Sequence, residues 1–255
     1  MLTESFFYFV FYSFVGWNLE VLYHLKKQRR FVNRGFLNGP ICPIYGISAT
    51  LIVILLTPFK DNLIALFIGG FIIASVVELF TGYLLERFFD TRWWDYSEES
   101  FNLWGYVCVK FSIYWGALTV FFLNAIHPFV NMLWLNIPNV IKNWIIPIFL
   151  VGIIIDSILT VSSLVQFKSI LAEFDDITER LRQNVTLMKD KKLKNISLER
   201  LKRENKKLRS LQNRLINKIN IQHKAWLKHY PNLKSKKFKH IIGELKEKIQ
   251  NKITD

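Results

Sequence analysis

Apolar residues gather into five long runs along this chain, at about residues 5–25, 40–58, 62–88, 104–127 and 144–167, with short polar stretches between them. A bilayer hydrocarbon core of about 30 Å needs roughly 20 mostly apolar helical residues to cross it, so each run predicts a transmembrane helix. Beyond residue 168 the pattern changes. Phe174, Ile177, Leu181, Val185 and Met188 recur at helical spacing and trace one stripe of an amphipathic helix. A second stripe uses Leu201, Leu208, Leu211, Leu215 and Ile219, with Ser197 placed to cap its start. Asn205 and Gln212 interrupt that stripe, which argues for a helical hairpin or a short dimer contact rather than a long coiled coil. Pro231 breaks the run, and Ile241, Leu245 and Ile249 mark a last short amphipathic helix. The connection Pro128–Asn143 mixes Phe129, Trp134 and Leu135 with Asn131, Asn136 and Asn139, and reads either as a segment lying in the membrane interface or as a plain loop. The expected fold class is all-α: a polytopic membrane domain over 1–167 with five transmembrane helices, then a basic helical cytosolic tail over 168–255.

Charge sharpens that division. The chain has 255 residues, is 51% apolar, and yet carries a formal net charge of +14. Residues 1–167 hold 10 Lys/Arg and 10 Asp/Glu, whereas residues 168–255 hold 24 and 10. A neutral apolar body with a basic polar tail argues against a soluble globular enzyme. The cations also orient the spans, because Lys and Arg concentrate in cytoplasmic connections. The first connection carries Lys26, Lys27, Arg29, Arg30 and Arg34, the third Arg87 and Arg92; the second and fourth carry only Lys60 and Lys142. Five crossings with the N-terminus outside place all the basic regions in the cytosol of a bacterial plasma membrane. The N-terminus lacks the basic segment and cleavage site of a secretory signal, so the first run is expected to be retained. The tail is expected to attract anionic lipid; its thin aromatic content, Trp226, Tyr230 and Phe238, argues against nucleic acid.

Sliding the sequence by 66 residues places Gly16-Trp17-Asn18-Leu19-Glu20 on Gly82-Tyr83-Leu84-Leu85-Glu86, and Gly39 and Cys42 on Gly105 and Cys108. The first and second helices would then repeat as the third and fourth. Both units start on the same side, so the repeat is parallel, about an axis along the membrane normal. It predicts a pseudo-two-fold site to which each half contributes a Glu and a Gly-x-x-Cys.

Ionisable groups inside a span are costly and usually face protein or water. Glu20, Glu78, Glu86, Lys110 and Asp156 are the candidates for a polar site open to the cytosol, against a reading of snorkelling and simple ion pairs, such as Lys110 with Asp156 or Glu86. Asn38-Gly39-Pro40 ahead of Cys42-Pro43 leaves free backbone amides at a helix start, a candidate anion site with Arg34. Arg92 and Asp95 are candidates for clamping the third connection, and Asn102 and Gly105 stand with them as candidates for anion binding or a loop clamp. The thiols Cys42 and Cys108 read as small packing residues, with no His or Asp pattern for catalysis and no ligand set for a metal. No catalytic residue and no cofactor is expected.

The stretches Gly16-Trp17-Asn18-Leu19-Glu20, Asn33-Arg34-Gly35-Phe36-Leu37-Asn38-Gly39-Pro40-Ile41-Cys42-Pro43-Ile44-Tyr45-Gly46, Glu78-Leu79-Phe80-Thr81-Gly82 and Arg92-Trp93-Trp94-Asp95-Tyr96-Ser97, completed by Asn102, Gly105 and Cys108, resemble a family of bacterial membrane proteins. It is the family named Putative ABC-transporter type IV, the CmpB-like permeases. The resemblance covers about residues 5–130 and implies a permease, without a catalytic assignment. No Gly-x4-Gly-Lys-Ser/Thr loop occurs, so ATP hydrolysis would fall to a separate ATPase subunit. Two other readings stand beside a permease-like transport component. One is a membrane-embedded enzyme or binding protein for a lipid or isoprenoid phosphate, using Glu20/Glu86 and Arg34/Arg92; the other is a non-catalytic scaffold whose tail recruits partners or a second copy.

Overall fold

A computed structural model describes residues 2–29, 33, 35–188, 195–219, 223, 224, 226, 227, 241–243 and 245. Of the described residues, 83% are helical. The chain separates into two compact units, one formed by Met1–Leu85 with Trp94–Val161, the other by Glu86–Trp93 with Ser162–Asp255.

The first unit begins with α1 (Leu2–Gln28), followed by α2 (Pro43–Leu56), a single 3₁₀ turn (Thr57–Phe59) and the start of α3 (Leu63–Phe89). It continues through a two-stranded hairpin, β1 (Asn102–Leu103) and β2 (Val107–Cys108), into α4 (Val109–Phe121). A π-helical turn (Phe122–Ile126) joins α4 to α5 (His127–Asn136), and α6 (Asn139–Met188) follows. Among the described residues four stretches are long and apolar enough to cross a bilayer: Leu2–Lys26, Leu63–Phe89, Val109–Asn136 and Asn139–Met188. The second sequence run forms only the shorter apolar helix Pro43–Phe59. Pro43 in its first turn suits a helix start, and Pro58 sits in the tight turn at its end.

Two boundaries differ from the sequence pattern. The fourth helix begins at Val109 rather than near 104, because Trp104 (φ 53°) and Gly105 (φ 75°) supply the two central positive-φ residues of a tight hairpin turn. The segment from Pro128, expected as an interfacial stretch or loop, continues the helix to Asn136. Pro128 lacks the N–H that an α-helix needs there, and the wider π turn just before it accommodates the break.

The core of this unit joins Tyr8 and Tyr12 of α1, Ile52, Val53 and Leu56 of α2, Leu66 of α3, Leu123 of the π turn, and Val130 and Trp134 of α5. Its polar tips are paired: the Tyr8 hydroxyl lies 2.8 Å from Asn131 Oδ1, and the Tyr12 hydroxyl 2.8 Å from His127 Nδ1. Gly46 lets the α2 backbone lie against α1, and Gly70 makes room on α3 for the Thr119 side chain. A Cβ at Gly46 would fall 2.0 Å from Ser13 Oγ and 2.4 Å from the Phe9 carbonyl; one at Gly70 would fall 2.2 Å from Thr119 Oγ1. By contrast, only 6% of the most apolar window of α6 is buried, and its exposed Ile, Leu, Val and Phe side chains present the surface a lipid environment accepts.

In the second unit α6 runs on without a break into the first tail stripe, and α7 (Asn195–Lys218) supplies the second. Helix α7 begins at Asn195 and already includes Ser197 in its first turn, so Ser197 is not its cap. The interrupting polar residues are what join the helices. Gln212 Nε2 donates to Thr178 Oγ1 at 3.1 Å, and Asn184 Nδ2 donates to Asn205 Oδ1 at 3.0 Å. Later positions on α6 meet earlier ones on α7, so the pair is an antiparallel hairpin within one chain. Phe174, Ile177, Leu208, Leu215 and Ile219 are buried along it, whereas Val185 and Leu211 from the same stripes are exposed. His223 is fully buried against Phe167 and Trp226 with Nε2 3.0 Å from Ser163 Oγ, and burial pushes this imidazole below its usual range. Ile241 and Leu245 of the last stripe are buried, while Ile249 and Pro231 lie outside the described residues.

Replacing Asn205 by Leu strands the Asn184 amide inside the hairpin, at a cost of about 1–3 kcal/mol. The expected outcome is α7 amide exchange in the intact protein faster by about 5- to 150-fold, as that cost implies. The double variant Asn184→Leu/Asn205→Leu should recover much of the loss.

Candidate functional site

Three internal carboxylates of the first unit each receive donors from another segment. Glu20, near the end of α1, accepts from the Tyr45 hydroxyl of α2 at 2.7 Å, with His24 Nε2 at 3.9 Å one turn further on. Helical spacing puts Glu20 and His24 on one face, and Gly16, one turn earlier, lets the Tyr45 ring lie directly against α1.

Glu78 lies in the middle of α3 and is only 8% exposed. Its Oε1 accepts from the Tyr96 hydroxyl at 3.0 Å. The Trp115 indole of α4 approaches the same carboxyl group, yet Oε2 has no hydrogen-bond partner among the described residues. Tyr96 is held there by the hairpin. Its N–H donates to the Gly105 carbonyl at 2.8 Å, and its ring stacks on Phe111 with centroids 5.0 Å apart. Asn102 fixes the hairpin in turn: Oδ1 accepts from the Gly105 N–H at 3.0 Å, and Nδ2 donates to the Glu99 carbonyl at 2.8 Å. Asn102 and Gly105, read as anion-binding candidates, thus shape the loop that delivers a phenol to Glu78. Burial, and then the charge of Glu78, hold the Tyr96 phenol well above the usual tyrosine range, so it remains a hydroxyl donor.

The two acid–tyrosine pairs belong to one constellation. Tyr45 and Tyr96 lie within electrostatic reach of each other, Glu20 also acts on Tyr96, and the Tyr45 and Trp115 rings are 6.1 Å apart. Cys42 and Cys108 border it as free, buried thiols, each in extended backbone immediately ahead of its helix, α2 and α4. Among the described residues no group of three or more His, Cys, Asp or Glu is gathered as a metal site.

Asp156 of α6 answers the Asn38–Gly39 amides. Its Oδ1 accepts from the Asn38 N–H at 3.1 Å and Asn38 Nδ2 at 2.9 Å; Oδ2 accepts from the Gly39 N–H at 2.8 Å. The loop is ordered for this by Asn33, whose Oδ1 accepts from Trp17 Nε1 at 2.7 Å and from the Gly35 N–H at 3.0 Å. The amides expected to hold an external anion therefore hold one of the chain's own carboxylates. Arg34, the proposed cationic partner of that anion, lies outside the described residues.

The remaining candidates pair differently from the sequence expectation. Lys110 meets Glu99 at 3.3 Å on the exposed side of the hairpin, instead of Asp156 or Glu86, and exposed pairs of this kind contribute about 0–1 kcal/mol. In the second unit Glu86 accepts from Arg92 Nε. Asp95 Oδ1 accepts from the Ser97 N–H at 3.0 Å, closing a local turn. Glu20 and Glu86, matched by the 66-residue shift, therefore have different partners, a phenol and a guanidinium. Sequence reasoning missed the roles of Tyr45, Trp115 and Tyr96. The available signal for Tyr45 was its place one turn after Cys42, on the face that α1 covers.

Removing the Asp156 charge while keeping its shape, by Asp156→Asn, weakens three charge-assisted bonds, each of about 1.5–3 kcal/mol. The expected result is a lower melting temperature in detergent and markedly faster exchange of the Asn38 and Gly39 amides; unchanged exchange would contradict the latch.

Comparison with known proteins adds the family. No curated protein and no solved structure matches the chain. The family described as Putative ABC-transporter type IV matches residues 7–161, a stretch that includes Glu20, Glu78 and Asp156 together with every donor that reaches them. The chain belongs to that family of ABC-transporter-related membrane proteins.

Proposed function

We propose that this protein is the membrane-embedded, permease-like subunit of a transporter, and that a separate ATPase drives it. The observation that carries this reading is family membership across the helical unit that holds all three internal acid sites. The need for a partner follows from the sequence, which contains no Gly-x4-Gly-Lys-Ser/Thr phosphate loop. In this reading the short helix Pro43–Phe59 completes a set of five spans with the four longer ones, the N-terminus is outside, and the tail is cytosolic. The Glu20–Tyr45 and Glu78–Tyr96 pairs form the polar part of the transport path. The basic face of α7, with Arg200, Lys202, Arg203, Lys206 and Lys207 exposed, is drawn to anionic lipid at about 1 kcal/mol per cation near the surface. The substrate is not specified by these residues.

Native mass spectrometry of the full-length protein, released gently from its own membrane, tests the reading. The expected result is a co-purifying subunit whose sequence contains the phosphate loop. A bound polyprenyl phosphate with no ATPase would replace transport with lipid handling. The topology has its own test: Lys60→Cys should react with an impermeant maleimide added outside intact cells, and protection there would overturn the orientation.

A further inference from the structure

We propose that Glu78 is a proton-binding site, taking up a proton on Oε2 and releasing it again while the Tyr96 hydroxyl stays bonded to Oε1. Three observations lead to it. The carboxyl group lies mid-helix in α3, with 8% of the residue exposed. Among the described residues it has one hydroxyl donor and no cationic partner, and Oε2 lacks a hydrogen bond altogether. Lys110, on the helix that follows the Tyr96 loop, is paired with Glu99. An ionised carboxylate so placed has lost its hydration and gained one hydroxyl bond and the approach of the Trp115 indole, an arrangement that costs several kcal/mol unless the charge is neutralised. A proton neutralises it without added ligands, whereas a metal cation would require several more oxygen donors.

The surroundings separate the two acids of the constellation. Glu20 keeps about a third of its side chain exposed and has His24 Nε2 3.9 Å away. Glu78 has neither advantage. The titratable groups that act on the Tyr96 phenol besides Glu78 are Cys108 at the start of α4 and Glu20 on α1, and Tyr45 of α2 lies within electrostatic reach of it. None of them is a cation. Uptake is a simple transfer: a proton leaves hydronium or buffer in the water outside the helices and forms an O–H bond at Oε2, and release breaks that bond and returns it. Tyr96 acts as a positioning residue and a hydroxyl relay, because its loop continues into the exposed Ser97 and Glu98. Ionisation of Glu78 leaves a charge that must be compensated by movement of the hairpin loop or by water entering from it. Proton binding is thereby linked to the conformation of the connection between α3 and α4. The argument rests on the first unit alone and does not depend on an ATPase partner, so failure of the mass-spectrometric test would leave it standing.

Infrared difference spectroscopy of the full-length protein in vesicles of its own lipids, titrated with pH, tests the proposal. The expected signal is a carbonyl band of a protonated carboxylic acid that disappears as pH rises and is absent in Glu78→Gln. Tyr96→Phe keeps the ring stacked on Phe111 but removes a bond that favours the ionised form, so the band should persist to higher pH by about one unit. A band unchanged in Glu78→Gln would assign the proton elsewhere and overturn the inference. So would loss of the wild-type band on adding sodium or potassium chloride at fixed pH, which would make the site one for a metal cation. Reaction of Glu78 with the apolar carbodiimide DCCD, followed by peptide mass spectrometry, is an independent readout in the unmutated protein. It should fall about tenfold for each unit above the midpoint of the titration, and a pH-independent yield would count against proton binding.

Discussion

A carboxylate enclosed among apolar helices must be given donors, and this requirement organises the first unit. Glu20 is answered by Tyr45, Glu78 by Tyr96, and Asp156 by Asn38 and Gly39. In each case the acid is on a helix, while the donor comes from another helix or from a connecting loop. Each acid therefore ties two segments that apolar packing alone would leave free to slide, because hydrocarbon-facing helices gain little from covering apolar surface. Shape provides the rest. Gly16, Gly46 and Gly70 let side chains or backbone of a neighbouring helix approach to distances no larger residue permits.

The loops are built to serve those acids. Asn33 and Asn102 both use a side-chain carbonyl to hold a following glycine amide, Gly35 and Gly105, and each loop ends at a buried cysteine just ahead of a helix. One loop then presents amides to Asp156; the other presents a phenol to Glu78. The asymmetry matters for function. Asp156 is satisfied by several bonds and behaves as a latch. Among the described residues Glu78 is left one bond short at Oε2. Unequal satisfaction of otherwise similar acids separates a structural carboxylate from one able to change its protonation.

The second unit solves the opposite problem, that of keeping a strongly charged helix folded. Helix α7 carries cations along its exposed side, and its narrow apolar stripe is supplemented by two buried polar pairs, Asn184–Asn205 and Thr178–Gln212. Such pairs add little net stability. They penalise other registers, in which an amide would be buried without its partner.

Much of this architecture was legible in the chain. The apolar runs reported the long helices, the change in charge near residue 168 reported the basic tail, and the 3–4 spacing reported the α6 and α7 stripes, because hydrophobic periodicity and charge are properties of the local sequence. The resemblance carried by Asn33–Gly46 and Arg92–Ser97 pointed to the family that residues 7–161 match. The sequence also singled out Glu20, Glu78 and Asp156 as acids in apolar surroundings. What it did not contain was their partners. Tyr45 reaches Glu20 across 25 positions, Tyr96 reaches Glu78 across 18, and Asp156 reaches Asn38 across 118. Which donor meets which acid, and which oxygen is left without one, depends on how the helices pack and where the hairpin turns. Composition and spacing placed these acids within apolar runs; only the tertiary structure decided how deeply each lies and how each was satisfied, because a hydrogen bond is fixed by position in space and not by distance along the chain.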